Sequence, residues 1–472
     1  MKAGAWCKEA MAGKHRAGYH RLVIQPQRIR VLRQAPARGG RYVLYWMQQS
    51  QRTDFSHALE YAVERANEAG LPLVVCFGLM DDYPEANERH YAFMLQGLAD
   101  VQRGLEERGI RFVVKRGAPA DVALHYAGDA AMVICDRGYL RHQRRWREQV
   151  ADGARCPVIE VESDAVVPVE EASDKAEYAA RTIRPKIQRK LHEYLVPLKQ
   201  IAVARPSLGL GVRGDVDVSD PDAVLAAMKV DRSVPPSAIY RGGQAEARRR
   251  LKAFVASGLK GYATGRNEPA ADATSHLSPY LHFGQISPLQ IALAVRDADA
   301  PAEDRQALLE ELIVRRELAM NFVTFTANYD RYECIPQWAR QTLKQHQGDP
   351  RPHLYTREQL ESAQTHDRWW NAAQRQMVRS GFMHNYMRMY WGKKIIEWSK
   401  TPQEAYATAL YLNNKHLLDG RDPASYMNVA WLFGLHDRPW TRRPIFGTVR
   451  YMNAAGLERK FDMEAYAAAE GT

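Results

Sequence analysis

Cysteine is scarce in this sequence. Five residues (Cys7, Cys76, Cys135, Cys156 and Cys334) are spread over 472 positions, with no C-x-x-C pair. An odd number at wide spacings supports neither a disulfide framework nor a zinc site, and it fits a reducing compartment. Long apolar runs are missing as well. The longest, Leu71 to Met80, is interrupted by Pro72 and falls well short of the roughly 20 residues that span a bilayer. The N-terminus has no apolar segment of the kind a secretory signal carries. No G-x-G-x-x-G or Walker sequence follows the early strand signals, which argues against an ordinary NAD or ATP domain. There is no internal repeat. These absences set aside membrane, secreted and common nucleotide-binding classes, and they leave no metal site to propose.

What is present is an ordinary globular composition, 46% hydrophobic and 26% charged, in a chain long enough for two or three domains. The net charge is +11. Residues 1–41 hold ten basic residues and one acid, a net +9, so the rest of the chain carries only +2. Any affinity for nucleic acid outside this arm must therefore come from local patches. The arm reads as a solvated tail, a phosphate anchor or a transit peptide. The block Arg137–Arg147 is also strongly basic with interleaved aromatics, and its plain reading is a solvated helix.

The first half alternates strand and helix signals. Strands are expected at Tyr42–Trp46, Leu73–Leu79, Ile110–Val114 and Ala131–Cys135. Helices are expected at Asp54–Ala69 (ended by Gly70), Tyr91–Arg108 and Pro119–Tyr126. Continuous apolar strands between helices imply a parallel, Rossmann-like sheet covered on both faces, with ligands bound beyond the strand carboxyl ends. Residues 201–240, rich in Gly, Pro, Ser and Asp, read as a connector. Long helical patterns follow. The expected division is a basic tail (1–36), an α/β domain (37–200), the connector and a helical domain (241–472).

Several segments of the helical half carry chemistry-bearing residues. Thr274, Ser275 and Ser278 precede Pro279 and an apolar run; such hydroxyls either cap a helix start or share its backbone N–H groups with a phosphate. Leu308–Leu318 reads as a helix in which Glu311 and Arg315 are an i, i+4 surface pair. Trp391 and Trp398 are i, i+7 on one helix face, roughly 10 Å apart along its axis. That spacing suits core packing and equally suits electron hopping between indoles. The polar stretch Leu412–Pro423 lies between aromatic-rich segments and is a plausible cofactor-binding element. Ala430–Trp440 combines aromatics with arginine, a pattern found where bases stack.

Long motifs carry a family resemblance: Tyr45–Arg52 (YWMQQSQR), Glu311–Glu317 (ELIVRRE), Thr365–Asp367, Trp370–Gln374 (WNAAQ), Met383–Trp398, Leu418–Pro423 (LDGRDP), His436–Trp440 (HDRPW) and Lys460–Asp462. Over roughly residues 26 to 466 the chain resembles the class II cyclobutane pyrimidine dimer photolyases of the photolyase/cryptochrome superfamily. The resemblance implies an N-terminal α/β domain, a C-terminal helical domain that holds FAD, and light-driven electron transfer from reduced FAD to a flipped-out pyrimidine dimer in double-stranded DNA. By motif position, Tyr262, Thr274, Ser275, His276, Leu277 and Ser278 look like FAD contacts. Arg388 and Asp419 look like the charge pair beside the isoalloxazine, and Asn413 like the residue facing its redox-active nitrogen. Trp391, Trp370 and Trp398 match the electron-transfer chain. Glu311 matches the acid that bonds the dimer, and Arg266, Arg315 and Trp431 lie on the lesion side. Some relatives place a Trp where this helix has Val314 and Arg315. Met47 and its neighbours are expected to face a second, antenna chromophore of unspecified identity. The resemblance further implies a monomer, located in the cytoplasm with the nucleoid in a prokaryote or in the nucleus of a eukaryote.

Two rivals are weighed against repair. A cryptochrome-like light sensor would have no need of Glu311 and is expected to carry a signalling tail beyond the point where this chain ends. A flavin-free DNA-binding module would be colourless and would leave the tryptophan spacing unexplained.

Overall fold

The N-terminal half is built on one six-stranded sheet in the computed structural model, which describes residues 24–36 and 39–470. The strands are β1 (Ile29–Arg33), β2 (Tyr42–Trp46), β3 (Leu73–Leu79), β4 (Arg111–Arg116), β5 (Ala130–Asp136) and β6 (Val158–Val161), in the spatial order β1-β6-β5-β2-β3-β4. All are parallel except β1, which pairs antiparallel with β6. Alternate residues of β2 serve opposite cores. Tyr42, Leu44 and Trp46 join one apolar cluster, while Val43 and Tyr45 join another. This two-sided burial is why the strand reads as a continuous apolar run. The helices α1 (His57–Ala69), α2 (Glu88–Glu107), α3 (Pro119–Ala127) and α4 (Arg141–Gly153) supply the covers. Ser56 caps α1 by accepting from Leu59 N, and Gly70 ends it at φ 63°.

Three expectations change here. The segment read as part of a tail contains β1, whose mixed sequence IRVLR hides an edge strand. The basic arm before residue 24 lies outside the described residues. The block Arg137–Arg147 is not a solvated helix face. Arg147 is buried and pairs with Asp136 at 2.8 Å, Arg141 pairs with Asp330 at 2.8 Å, and Arg137 pairs with Glu162 at 3.2 Å. These three charges are paired within the protein, whereas Arg145 is exposed. The connector is also used. Val216 bridges Val114 on the open side of β4, and Ser207 Oγ and Asp215 Oδ1 accept from the N–H groups of Arg111 (2.6 Å) and Arg116 (2.7 Å). Gly214 is required at this crossing, because a Cβ there would lie 2.1 Å from Val114 O.

The helical half is one apolar cluster that also takes in Phe93, Tyr139, Leu140 and Ala165–Val167 from the α/β half. Its site-bearing elements are α5 (Tyr262–Gly265), α6 (Ser278–His282), α7 (Ala302–Leu309), a π-helical stretch (Glu310–Arg315), α8 (Arg316–Phe325), α9 (Arg368–Ser380), α10 (Asn385–Trp398), α11 (Pro402–His416) and α12 (Pro423–Leu432). Asp367, His384, Thr401 and Asp422 cap α9 to α12 with their side chains. The π-helical stretch corrects the expected i, i+4 pair. A wider turn brings residues five apart together. Arg315 therefore meets Glu310 at 3.3 Å, while Glu311 is released to pair with Arg266 at 3.0 Å.

Candidate functional site

Contacts tie four segments into one polar region, the candidate basin: α5, the Thr274–Ser278 run, the start of α10, and the loop that leaves α11. Arg388 on α10 grips Asp419 with both guanidinium nitrogens, at 3.1 and 3.0 Å, and its Nε donates to Met383 O at 2.8 Å. Burial raises the pKa of the Tyr240 phenol, and the charges of Asp419 and Arg388 also act on it. The Tyr240 hydroxyl meets His276 Nδ1 at 2.6 Å. Arg266 lies over the Tyr262 ring at 5.6 Å while pairing with Glu311. Tyr262, Arg266 and Glu311 are thus joined, Arg266 O meets His384 Nε2 at the start of α10 at 3.0 Å, the His276 ring packs on Phe382 at 4.8 Å, and Arg388 holds Asp419, as their order in the sequence could not reveal.

The hydroxyl run does not act as a helix cap. Leu277 occupies the cap position of α6 and no side chain bonds there. Thr274 Oγ1 is buried without a hydrogen-bond partner. A buried hydroxyl without a partner costs free energy unless something else satisfies it. His276 takes φ 52°, which is uncommon outside glycine. Asn413, 5% exposed, donates from Nδ2 to Asn414 Oδ1 at 3.1 Å and leaves its own Oδ1 without a protein partner among the described residues. Acceptors and hydroxyls left over in a basin with an arginine fit a ligand carrying phosphates and a hydrogen-bonding ring.

The tryptophans form a stack. Trp370 on α9 lies between the two indoles of α10. Its ring is parallel to Trp391 (6.4 Å, 7°) and edge-on to Trp398 (5.6 Å, 68°). Trp370 Nε1 donates to Trp391 O, and Trp391 Nε1 donates to Gln374 Oε1. All three rings are buried. Asp367 sets the start of α9 by accepting from Trp369 and Trp370 N–H, and so positions the middle ring. Trp431 on α12 has Lys393 Nζ at 5.4 Å and Arg450 at 5.3 Å from its ring. Val314 is buried and Arg315 is not, so only the latter can face a partner.

A second cavity opens at the carboxyl ends of β2 and β3, where sheets of this kind bind ligands. Gln48, Gly78, Tyr83, Gln143, Trp146 and Arg421 line it. Met47 itself does not, being fully buried in the core below, whereas its neighbours Gln48, Gln49 and Gln51 do.

Sequence reading missed a strap between the two halves. Glu85 accepts from Asn414 Nδ2 (2.7 Å), Asn87 Nδ2 donates to Lys415 O (2.7 Å), Arg89 Nη1 donates to His416 O (2.8 Å), and His90 Nε2 meets Leu417 O (3.1 Å). Such contacts join residues more than 300 positions apart, and nothing local announces them.

Histidines held neutral by burial lie around this region. Burial pushes His384 and His416 down to about 4 from 6.5. His384 Nδ1 accepts from Tyr386 N–H, so Nε2 carries the proton it donates to Arg266 O. Between pH 6.5 and 4 the unfolded chain takes up protons that the native histidines refuse. Stability from each is complete above about 6.5 and drains as pH falls, by up to ~3 kcal/mol. Glu317, raised to about 8 by burial, works in the opposite sense and weakens the fold as pH rises toward 8. Melting curves should therefore show a fall below pH 6.5. His384→Asn keeps a capping side chain without titrating there, and should make that fall shallower; an unchanged slope would remove His384 from the acid response.

A model for DNA photolyases matches residues 43–204. A deoxyribodipyrimidine photo-lyase of Methanothermobacter thermautotrophicus is 49% identical over 445 residues, covering 94% of this chain and 98% of that protein. One from Potorous tridactylus is 40% identical, covering 90% of this chain and 80% of that protein. Among solved structures, a class III photolyase from Agrobacterium tumefaciens superposes with a TM-score of 0.70 at 19% identity, covering 91% of this chain and 86% of that one. A Synechocystis cryptochrome gives 0.70 at 16%, covering 91% and 88%. At these identities the two structures speak to the fold alone.

Proposed function

The chain belongs to the DNA photolyase family, and from that premise we propose that it is a light-dependent lyase that reverses cyclobutane pyrimidine dimers in double-stranded DNA, acting as a monomer of the class II branch with FAD in the basin described above. The observation that carries this reading is the two-point pair of Arg388 with Asp419, supported by the free amide acceptor of Asn413, the buried unpartnered hydroxyl of Thr274 and the hold of Arg266 on Glu311. When bound, photoexcited reduced FAD supplies one electron to the dimer and receives it back.

The residues have distinct tasks. Thr274, Ser275 and Ser278 offer hydroxyls, and Leu277 and Tyr262 offer packing surface, to the cofactor's phosphates and chain. Arg388 brings positive charge to the reduced ring, and Asp419 fixes its orientation through two hydrogen bonds. Asn413 offers an acceptor at the ring nitrogen. Arg266 holds Glu311 at the mouth, where the carboxyl hydrogen-bonds the flipped dimer; extrusion costs a few kcal/mol, least for a damaged step. Arg315 and Trp431 complete the lesion side, with Arg315 giving phosphate contact and Trp431 a stacking face. Trp391, Trp370 and Trp398 carry electrons inward to restore the reduced cofactor. The cavity beside Tyr83 and Trp146 takes the second, light-gathering chromophore. Repair in a prokaryote places the protein with the nucleoid, and in a eukaryote in the nucleus.

The test is repair yield per photon on a dimer-containing duplex. Glu311→Gln keeps shape and loses the charge. Its yield should fall roughly tenfold, the value of one hydrogen bond in the transition state, with FAD content unchanged. A yield equal to wild type would take Glu311 out of the mechanism. Absence of any dimer reversal by the wild type under light would sink the reading itself.

A further inference from the structure

Glu85 belongs to the α/β half, yet it touches the end of α11, the helix that carries Asn413. Its Oε2 accepts from Asn414 Nδ2 at 2.7 Å. It takes φ 59°, a conformation that favours glycine, and its side chain reaches the loop from an otherwise exposed position. We propose that Glu85 is a positioning residue that determines which atom of the Asn413 amide faces the flavin. The inference rests on the FAD reading above.

The argument is one of hydrogen-bond polarity. A carboxylate only accepts, whereas an amide has one accepting end and one donating end. Facing Glu85, Asn414 must turn its NH2 outward. Its Oδ1 then points inward, where it accepts from Arg421 N–H at 3.0 Å and from Asn413 Nδ2 at 3.1 Å. The NH2 of Asn413 is thereby committed, and its Oδ1 is the atom left for the basin. Asn414 is fully buried and Asn413 nearly so, so the link between the two amides acts in a medium that penalises a mismatched pair, while the outer bond to Glu85 is only part-buried. An oxygen acceptor attracts an N–H and repels a lone pair. The flavin ring nitrogen carries hydrogen in the reduced cofactor and a lone pair in the oxidised one. Glu85 therefore biases the site toward reduced FAD through two intervening amides. Arg421 N–H supports the same orientation of Asn414, so loss of Glu85 weakens the bias without erasing it.

This reading and simple Coulomb attraction predict opposite results. Glu85→Gln removes a negative charge, and Glu85→Lys adds a positive one besides. By charge alone both would favour the reduced, anionic cofactor. By polarity both disfavour it, because glutamine accepts or donates and lysine only donates. The experiment measures the midpoint potential of FAD in the full-length holoenzyme by spectroelectrochemistry, with dissociation constants for oxidised and reduced FAD alongside. The expected result is a more negative potential in Glu85→Gln and a still more negative one in Glu85→Lys, the preference for reduced FAD falling by up to about tenfold, the worth of one buried hydrogen bond. A potential that is unchanged or more positive overturns the proposal. Asn414→Asp is the control: its carboxylate still accepts from Asn413, so per unit of added negative charge it should move the potential only as Coulomb repulsion does. Should Glu85→Lys fail to retain FAD, the direction seen in Glu85→Gln decides. A wild type that binds no FAD would refute the cofactor reading, whereas a wild type whose bound FAD ignores Glu85 refutes this inference alone.

Discussion

Trp370→Phe should abolish light-driven reduction of oxidised FAD and leave repair by chemically reduced enzyme near normal. Trp370 is the only described indole placed between Trp391 and Trp398, parallel to one and edge-on to the other. Phenylalanine leaves a small cavity and gives up the bond to Trp391 O, at a cost of about 2–3 kcal/mol, but the fold should survive and the new ring is far harder to oxidise. A hole on Trp391 then has no stepping stone outward, and it returns to the cofactor before an external reductant can act. Photoreduction with a thiol present should slow by at least about a hundredfold, equivalent to ~2.7 kcal/mol on the barrier. The repair electron does not use this path, so pre-reduced enzyme separates the two roles. Photoreduction that survives in Trp370→Phe would make the stack a packing feature, which spacing alone allows. Loss of repair in the pre-reduced variant, with FAD and DNA bound, would place Trp370 in the lesion chemistry.

Arg89→Leu should be strongly destabilising. The side chain is 1% exposed and its guanidinium donates to the carbonyls of Pro235, Met377, Val378 and His416 at 3.0, 3.2, 2.5 and 2.8 Å. The last three oxygens lie at the C-terminal ends of α9 and α11, where negative potential collects; Met377 O also accepts from Gly381 N–H at 2.9 Å, whereas Val378 and His416 rely on the arginine. Burial lowers the arginine to about 10, still charged at neutral pH. Leucine would strand several buried acceptors, at a cost of about 3–5 kcal/mol, and drop the melting temperature by roughly 5–10 °C. Arg89→Lys should recover little, since one ammonium cannot span the fork of acceptors. Arg103, an exposed partner of Asp100, is the comparison; Arg103→Leu should change stability by less than ~1 kcal/mol. FAD retention should follow the melting order, because the strap holds the end of α11 that carries Asn413. Equal stability of the Arg89→Leu variant and the wild type would show that α9 and α11 find other caps.

Strand and helix spans in the α/β half were legible because period and punctuation agree there. β3 is a continuous apolar run, Gly70 marks a helix end, and Pro119 marks a start. β1 and β6 were not legible, the first because Arg30 and Arg33 mask it and the second because four residues carry too little pattern. The same contrast holds in the basin. The Trp391/Trp398 face follows from helical geometry, whereas the ring between them comes from another helix and was named only through family likeness. The partner of Glu311 could not be read at all. An i, i+4 rule assumes an α-helix, and the π-helical stretch hands Arg315 to Glu310 instead. The polarity of Asn413 depends on Glu85, more than 300 positions earlier, and no window along the chain contains both.

The two outer strands of the sheet have a bearing on how the protein behaves in company. A bare strand edge is an invitation to a second chain, and unguarded edges seed aggregates. Here one margin is charged and the other is covered. On one side β1 runs backwards along β6 and presents the mixed, arginine-bearing strand IRVLR outward. On the other, the loop through Ser207, Gly214 and Val216 takes up the outward N–H and C=O groups of β4. Segments that look like spacer in the sequence thus serve as hems, and trimming either should first show itself as self-association on concentration, before any loss of colour or chemistry.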